Sequence, residues 1–220
     1  MGGAVNTSWM RGGAMLALAV LFVAGLPGLA HASLFGQVST AYTLEKGASD
    51  VGGFVSVFEN STMVFAQYRH GLFANVDCGV QGGIVDPEAG DVGLALGADA
   101  KFLIMPMGND MPFDLALNPR ISYINEDAFS FVSLGGSVVI SRDYALAQGS
   151  IAPYGAFNMR FDNVHYDGRD LAPGVDNDDT DFNVSGIAGV KWDVSQLMDI
   201  LGEVVFDENI GVTIGLNFKL

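Results

Sequence analysis

From Ile210 to the last residue the chain alternates without a break. Ile210, Val212, Ile214, Leu216, Phe218 and Leu220 fall on one side; Gly211, Thr213, Gly215, Asn217 and Lys219 fall on the other. Side chains that repeat every two residues mark a β-strand, here with one wholly apolar face. The pattern recurs upstream. Val92, Leu94, Leu96, Ala98, Ala100, Phe102 and Ile104 alternate with Gly93, Ala95, Gly97, Asp99, Lys101 and Leu103. Phe113, Leu115, Leu117, Ile121 and Tyr123 alternate with Asp114, Ala116, Asn118, Arg120 and Ser122. Val76, Cys78, Val80 and Ile84 alternate with Asp77, Gly79, Gln81 and Gly83, and Phe182 to Trp192 repeats the scheme.

These runs span about 9–14 residues, longer than the ~5–6 residues of an ordinary soluble strand. They match the ~9–11 residues that a tilted strand needs to cross hydrocarbon. The less apolar face mixes Gly, Ser, Asn and isolated charges, unlike a solvated surface. Aromatic residues sit at strand ends on the apolar face: Phe113 with Tyr123, Phe182 with Trp192, and Phe218. Lipid outside and a polar interior fit this division, and a closed barrel is the β-structure that satisfies its backbone in lipid. The predicted fold is therefore all-β, an up-and-down antiparallel transmembrane β-barrel of about ten strands. Those strands are placed at 51–58, 62–71, 75–84, 91–104, 113–123, 129–141, 149–161, 182–192, 198–207 and 210–220. Eight or twelve strands are the alternatives. A further period-two segment, 37–44, precedes the ten; an even count keeps both termini on the periplasmic side, so 34–44 reads as a periplasmic or lumen-facing lead-in. Residues 162–181 read as the one long extracellular loop. Pro153 predicts a bulge or edge irregularity.

Residues 1–32 read differently. Arg11 is their only charge, Ala14 to Leu26 is an apolar run, and Ala30-His31-Ala32 is a small-x-small cleavage site. This has the form of a secretory signal peptide, and the run is too short for a spanning helix. The expected organisation is a signal peptide at 1–32 and a barrel domain at 33–220. Composition agrees: half of the 220 residues are hydrophobic, mean hydropathy is +0.33, and Gly numbers 29. Acids outnumber bases 25 to 10, which excludes a nucleic-acid partner. A single cysteine, Cys78 on the lipid face, excludes an internal disulfide and a Cys-rich zinc site.

With the export signal, the ten-residue alternation, the short turns and the terminal strand Gly215-Leu216-Asn217-Phe218-Lys219-Leu220, the chain resembles bacterial outer-membrane β-barrel proteins. Such proteins usually end in Phe; this one ends in Leu220. The resemblance implies the outer membrane of a diderm (Gram-negative) bacterium, lipid and the barrel-assembly machinery as partners, and a monomer. It also implies a structural or narrow, porin-like passive role in the cell envelope. Binding of a surface ligand through acidic extracellular loops is the alternative, and an outer-membrane enzyme the third reading.

Candidate chemistry is sparse. His70 lies at a strand end beside Tyr68 and Arg69, and reads as an interfacial histidine. His165 lies in the expected long loop near Asp162, Asp167 and Asp170, without a neighbouring serine, and a nucleophile needs its base within hydrogen-bond reach. No enzyme and no cofactor are expected. Asp176, Asp178, Asp179 and Asp181 offer oxygen ligands for a cation, although adjacent acids cannot all converge, and a solvated loop is the simpler reading. The inner face carries Arg69, Asp77, Asp99, Lys101, Asp114, Arg120, Arg160, Lys191, Glu203 and Lys219. Two expectations follow. Either these ions pair across a plugged lumen, or they line a narrow, slightly basic water path, with inner glycines such as Gly79, Gly83, Gly97, Gly189, Gly211 and Gly215 leaving space.

Overall fold

The computed structural model describes residues 35–87, 91–108, 111–126, 129–166, 178–207 and 209–220. The signal segment and Asp176 lie outside these residues. The strands are β1 (Ser49–Val57), β2 (Ser61–Phe73), β3 (Val76–Pro87), β4 (Gly93–Met105), β5 (Asp114–Asn125), β6 (Phe129–Ser141), β7 (Tyr144–Ala145), β8 (Ser150–Tyr166), β9 (Asp178–Asp193), β10 (Met198–Phe206) and β11 (Ile210–Lys219). Each long strand pairs antiparallel with its sequence neighbours, β6 pairs with β8, and β1 pairs with β11. The result is a closed ring of ten long strands. The two-residue β7 is a stub in the turn before β8, pairing Tyr144 with Ile151. One end of the barrel, the terminal end, holds the start of β1 and the finish of β11; the other is the distal end.

All ten expected strands are present, and β8 and β9 run furthest beyond what the apolar alternation suggests. Apolar outer residues stop at Phe161 and Phe182, but the ladder continues through Asp162↔Asp181, Asn163↔Thr180 and Val164↔Asp179. Polar residues can carry the same backbone pairing beyond the apolar belt, so 162–166 and 178–181 of the expected loop are strand, and its residues 167–177 lie outside the described residues. His165 accordingly stands in β8, opposite Ser130 and Asp178.

Prolines are handled locally. The β8–β9 register passes Pro153↔Val190 without a shift, so of the expected bulge or edge irregularity the structure has the second, with Pro153 just past the last β6–β8 pair, Ser141↔Tyr154. The Pro153 carbonyl accepts from the Arg142 amide at 3.2 Å just past the end of β6, the side on which its missing N–H would point. The loss therefore costs no ladder bond. Pro119 does interrupt the β4–β5 ladder, which passes from Asp99↔Arg120 to Phe102↔Leu117. There the side-chain amide of Asn118 donates to the Ala100 carbonyl at 3.1 Å, and a side chain takes the place of the backbone donor.

The burial pattern is inverted relative to a soluble barrel. Val64, Val80, Ile84, Leu94, Leu96, Leu134, Ile214 and Phe161 are all half or more exposed on the outer face, or nearly so. Tyr68, Tyr144, Phe182, Trp192 and Phe218 add exposed aromatics toward the strand ends. Inside are buried Gln67, Arg69, Asp77, Lys101, Asn118, Asn158, Arg160, Asn183, Glu203 and Asn217. An apolar cluster of Phe54, Met63, Phe65, Val85, Ile124 and Phe131 fills much of the distal half of the lumen.

Candidate functional site

Residues 35–44 enter the lumen as a strap. Of the two places the sequence allows for this lead-in, the structure takes the inner one: Phe35, Gln37, Val38, Ser39, Thr40, Ala41 and Thr43 are all buried. The strap is not a strand. Gly36 and Val38 have φ of 62° and 40°, a conformation costing on the order of 1–3 kcal/mol for a branched residue such as valine. Its effect is to aim two successive amides at one carboxylate. Gln37 N and Val38 N donate to Glu203 Oε1 and Oε2 at 3.0 and 2.9 Å, a small backbone nest around an anion. Tyr154 donates its hydroxyl to the same carboxylate at 2.7 Å. A Cβ on residue 36 would run into Glu203, so the turn needs glycine.

The rest of the strap is held by polar side chains of the wall. Gln37 donates to Asn118 Oδ1 at 3.0 Å, and its carbonyl oxygen accepts from Ser137 at 2.8 Å and Arg120 at 2.7 Å. Arg120 also donates to the Gly36 carbonyl, and Lys101 Nζ to the Thr40 carbonyl at 3.0 Å. Ala41 N donates to Ser141 Oγ at 3.1 Å and Leu44 N to Asp77 Oδ2 at 2.9 Å. Phe35 packs edge-on against Phe65, 5.1 Å between ring centres, and Phe65 stacks on Phe54 at 5.0 Å.

Three ion clusters stand around the strap. Arg69 bridges Asp77 and Asp99, the latter at 2.6 Å; Lys101 lies 3.5 Å from Asp77. Gln81 and Asn118 donate to Asp99 at 2.6 and 2.8 Å. Arg160 bridges Asp162 at 2.7 Å and Asp207 at 2.9 Å, with Asn183 donating to Asp162 at 2.8 Å. At the terminal mouth Lys191 and Lys219 share Asp193 and Asp199 over 2.9–3.7 Å. Asp114 is buried near that mouth and accepts from Met107 N at 2.6 Å, which pins the preceding turn.

The ten charges expected on the inner face thus stand there, but the lining is not basic. Asp162, Asp193, Asp199 and Asp207 join the four expected acids and outnumber the six bases. Parity could have found them: Asp162 follows Arg160 by two, and Asp199 precedes Glu203 by four. The inner glycines do not leave open volume either. A Cβ on Gly97 would meet the Phe35 ring, on Gly83 Phe65, on Gly189 Tyr154, on Gly211 Phe58, and on Gly215 Phe54. Each glycine seats a bulky neighbour. Two cavities beside the strap are small. One cavity of about 20 Å³ lies by Phe35, Asp99, Arg120 and Arg160, and another of about 40 Å³ by Thr40, Arg69, Lys101 and Asp199. Each has room for about one to three waters.

Of the acidic run, Asp178, Asp179 and Asp181 are ladder positions in β9, with Asp179 and Asp181 exposed. Residues two apart on a strand lie about 7 Å apart, and no three His, Cys, Asp or Glu side chains gather into a metal site among the described residues. His70 acquires a partner invisible in sequence. Ser49, opposite it on β1, places Oγ 2.8 Å from Nδ1, with the Tyr68 hydroxyl 3.0 Å from Ser49. This trio is on the outer face at the terminal end, and no carboxylate joins it among the described residues.

No protein-family model and no curated protein matches the chain. Solved structures do. The N-terminal β-barrel domain of Pseudomonas aeruginosa OprF is 9% identical over 80% of this chain and 100% of its own, with a TM-score of 0.39. The outer membrane protease OmpT from Escherichia coli is 9% identical over 80% and 94%, with a TM-score of 0.43. The KdgM porin, solved with oligogalacturonate, is 9% identical over 77% and 98%, with a TM-score of 0.39.

Proposed function

We propose that the chain is an integral protein of the outer membrane of a diderm bacterium, exported by residues 1–32, and that it is a non-conducting structural barrel. The exposed apolar belt flanked by aromatics, around a polar interior, supports the membrane reading, because water would not tolerate so large a contiguous apolar surface. Lipid and the barrel-assembly machinery are its partners, and the barrel works as a monomer. The observation that carries the closed reading is the strap, whose residues 35–41 and 43 are buried in the lumen and bonded to its wall through Glu203, Arg120 and Lys101. In planar bilayers the refolded full-length protein gives no resolved conductance steps at any salt concentration. Regular ohmic steps would refute closure.

A second reading has its own support. Glu59, Asp86, Asp91, Glu126, Asp179 and Asp181 all stand at the distal end, where Arg160 is already bridged to Asp162 and Asp207. Such a rim suits a cationic surface ligand. Binding of oligolysine to the protein in lipid nanodiscs, lost on raising the salt and lost in a rim-neutralised variant, tests it.

A further inference from the structure

We propose that the lumen is a binding site for an open-turned, uncharged peptide, and that residues 35–44 are its exchangeable occupant, held in cis. The proposal rests on the closed-barrel reading above and adds what the wall recognises.

The ring is complete without the strap. Strands β1 and β11, and β6 and β8, close it through their own ladders. Among the described residues no backbone–backbone hydrogen bond joins 35–44 to the wall. The strap can therefore leave without unpairing a strand. The contacts it does make are those a receptor makes to a peptide. The wall offers acceptors to successive amides through Glu203, Ser141 and Asp77, and donors to carbonyls through Arg120 and Lys101. Such contacts to main-chain groups are blind to sequence and require an extended or open-turned backbone. Selectivity comes from two places. The Gln37 amide is read on both its oxygen and its nitrogen by Arg120, Ser137 and Asn118, and Phe35 enters the aromatic cluster against Phe65.

Charge explains why the occupant is neutral. The sequence from 35 to 44, FGQVSTAYTL, has no ionisable group at neutral pH. Arg69, Lys101, Arg160, Lys191 and Lys219 pair with acids of the wall, while Glu203 and Arg120 are already taken up by the strap's own amides and carbonyl groups, so a charge on the occupant would be buried without a partner of its own. The strap also joins β1 through an accessible hinge: Glu45, Lys46 and Gly47 are exposed, and Gly47 takes a φ of 86°.

The test cuts the tether after folding. A protease site placed at 45–47 in the full-length chain is cleaved once the barrel is in a bilayer. The strap is then released on perfusion, as read by mass spectrometry, and ion conductance appears. A synthetic peptide of residues 35–44, added from the terminal side, closes it again. The Gln37→Lys peptide closes it roughly tenfold less well or worse, because it brings a buried cation against Arg120 and loses three hydrogen bonds. A scrambled peptide that closes the barrel equally well overturns the proposal. So does a cut barrel that keeps its strap through perfusion, or that stays silent after losing it. Conductance before cutting would refute the closed-barrel reading instead, which keeps the two failures apart.

Discussion

Two clusters of two bases and two acids occupy this barrel, alike in charge and unlike in their access to water and in the hydrogen bonds around them. Arg69, Asp77, Asp99 and Lys101 come from β2, β3 and β4, and their side chains are 0–5% exposed. Lys191, Asp193, Asp199 and Lys219 come from β9, β10 and β11, and three of the four are 20–35% exposed. The inner cluster also carries hydrogen bonds from Gln81, Asn118 and the strap amide of Leu44. The mouth cluster lies near the turns and takes one further bond, from Ser150 to Asp193. Equal charge arithmetic therefore has unequal consequences. Removing one partner in the inner cluster leaves buried, unpaired charge, whereas at the mouth water and salt replace what is lost.

The largest expected effect is Arg69→Met, which leaves Asp99 without its cation and Asp77 with Lys101 alone. It lowers stability by about 3–5 kcal/mol in a urea titration in lipid. A loss below about 1 kcal/mol would mean that water reaches this cluster and that the comparison fails. Next is the outer face of the same wall. Leu96→Arg on β4, pointing away from these ions, costs roughly 2–4 kcal/mol for a charge near the middle of the belt. If it is tolerated while Gly97→Ser is not destabilising, the inner and outer assignments are reversed. The smallest effect is Lys219→Met at the mouth, expected within about 1 kcal/mol. Salt sharpens the contrast: between low salt and about 1 M, the coupling of Lys219 with Asp193 in a double-mutant cycle shrinks, while that of Arg69 with Asp99 hardly changes.

The legible part of this molecule was its outside. Lipid imposes a strict rule on every second residue, so Ile210 to Leu220 or Val92 to Ile104 announces both strand and face. The interior obeys a looser rule, that each polar group find a partner, and partners come from anywhere in the chain. Asp99 meets Arg69 and Asn118, and Gln37 meets Asn118 and Ser137, through closure of the ring and not through spacing. Strand ends were misjudged at Asp162 and Asp181 because pairing outlasts hydrophobicity there. Gly83, Gly97 and Gly215 suggested empty space, since composition does not say which ring lies above each one. Residues 37–44 alternate like a strand, yet the turns at Gly36 and Val38, which bring two amides onto Glu203, keep the segment out of the ladder.

The position of the strap is tested most directly by a cross-link. In a Cys78→Ser background, Ala41→Cys and Ser141→Cys place two thiols where the Ala41 amide now meets Ser141 Oγ at 3.1 Å. Mild oxidation or a short dithiol cross-linker is predicted to join them within one folded chain in the bilayer, with neither thiol reached beforehand by a bulky water-soluble maleimide. Free thiols that label readily, with no intramolecular link formed, would place the strap outside the lumen and contradict the account.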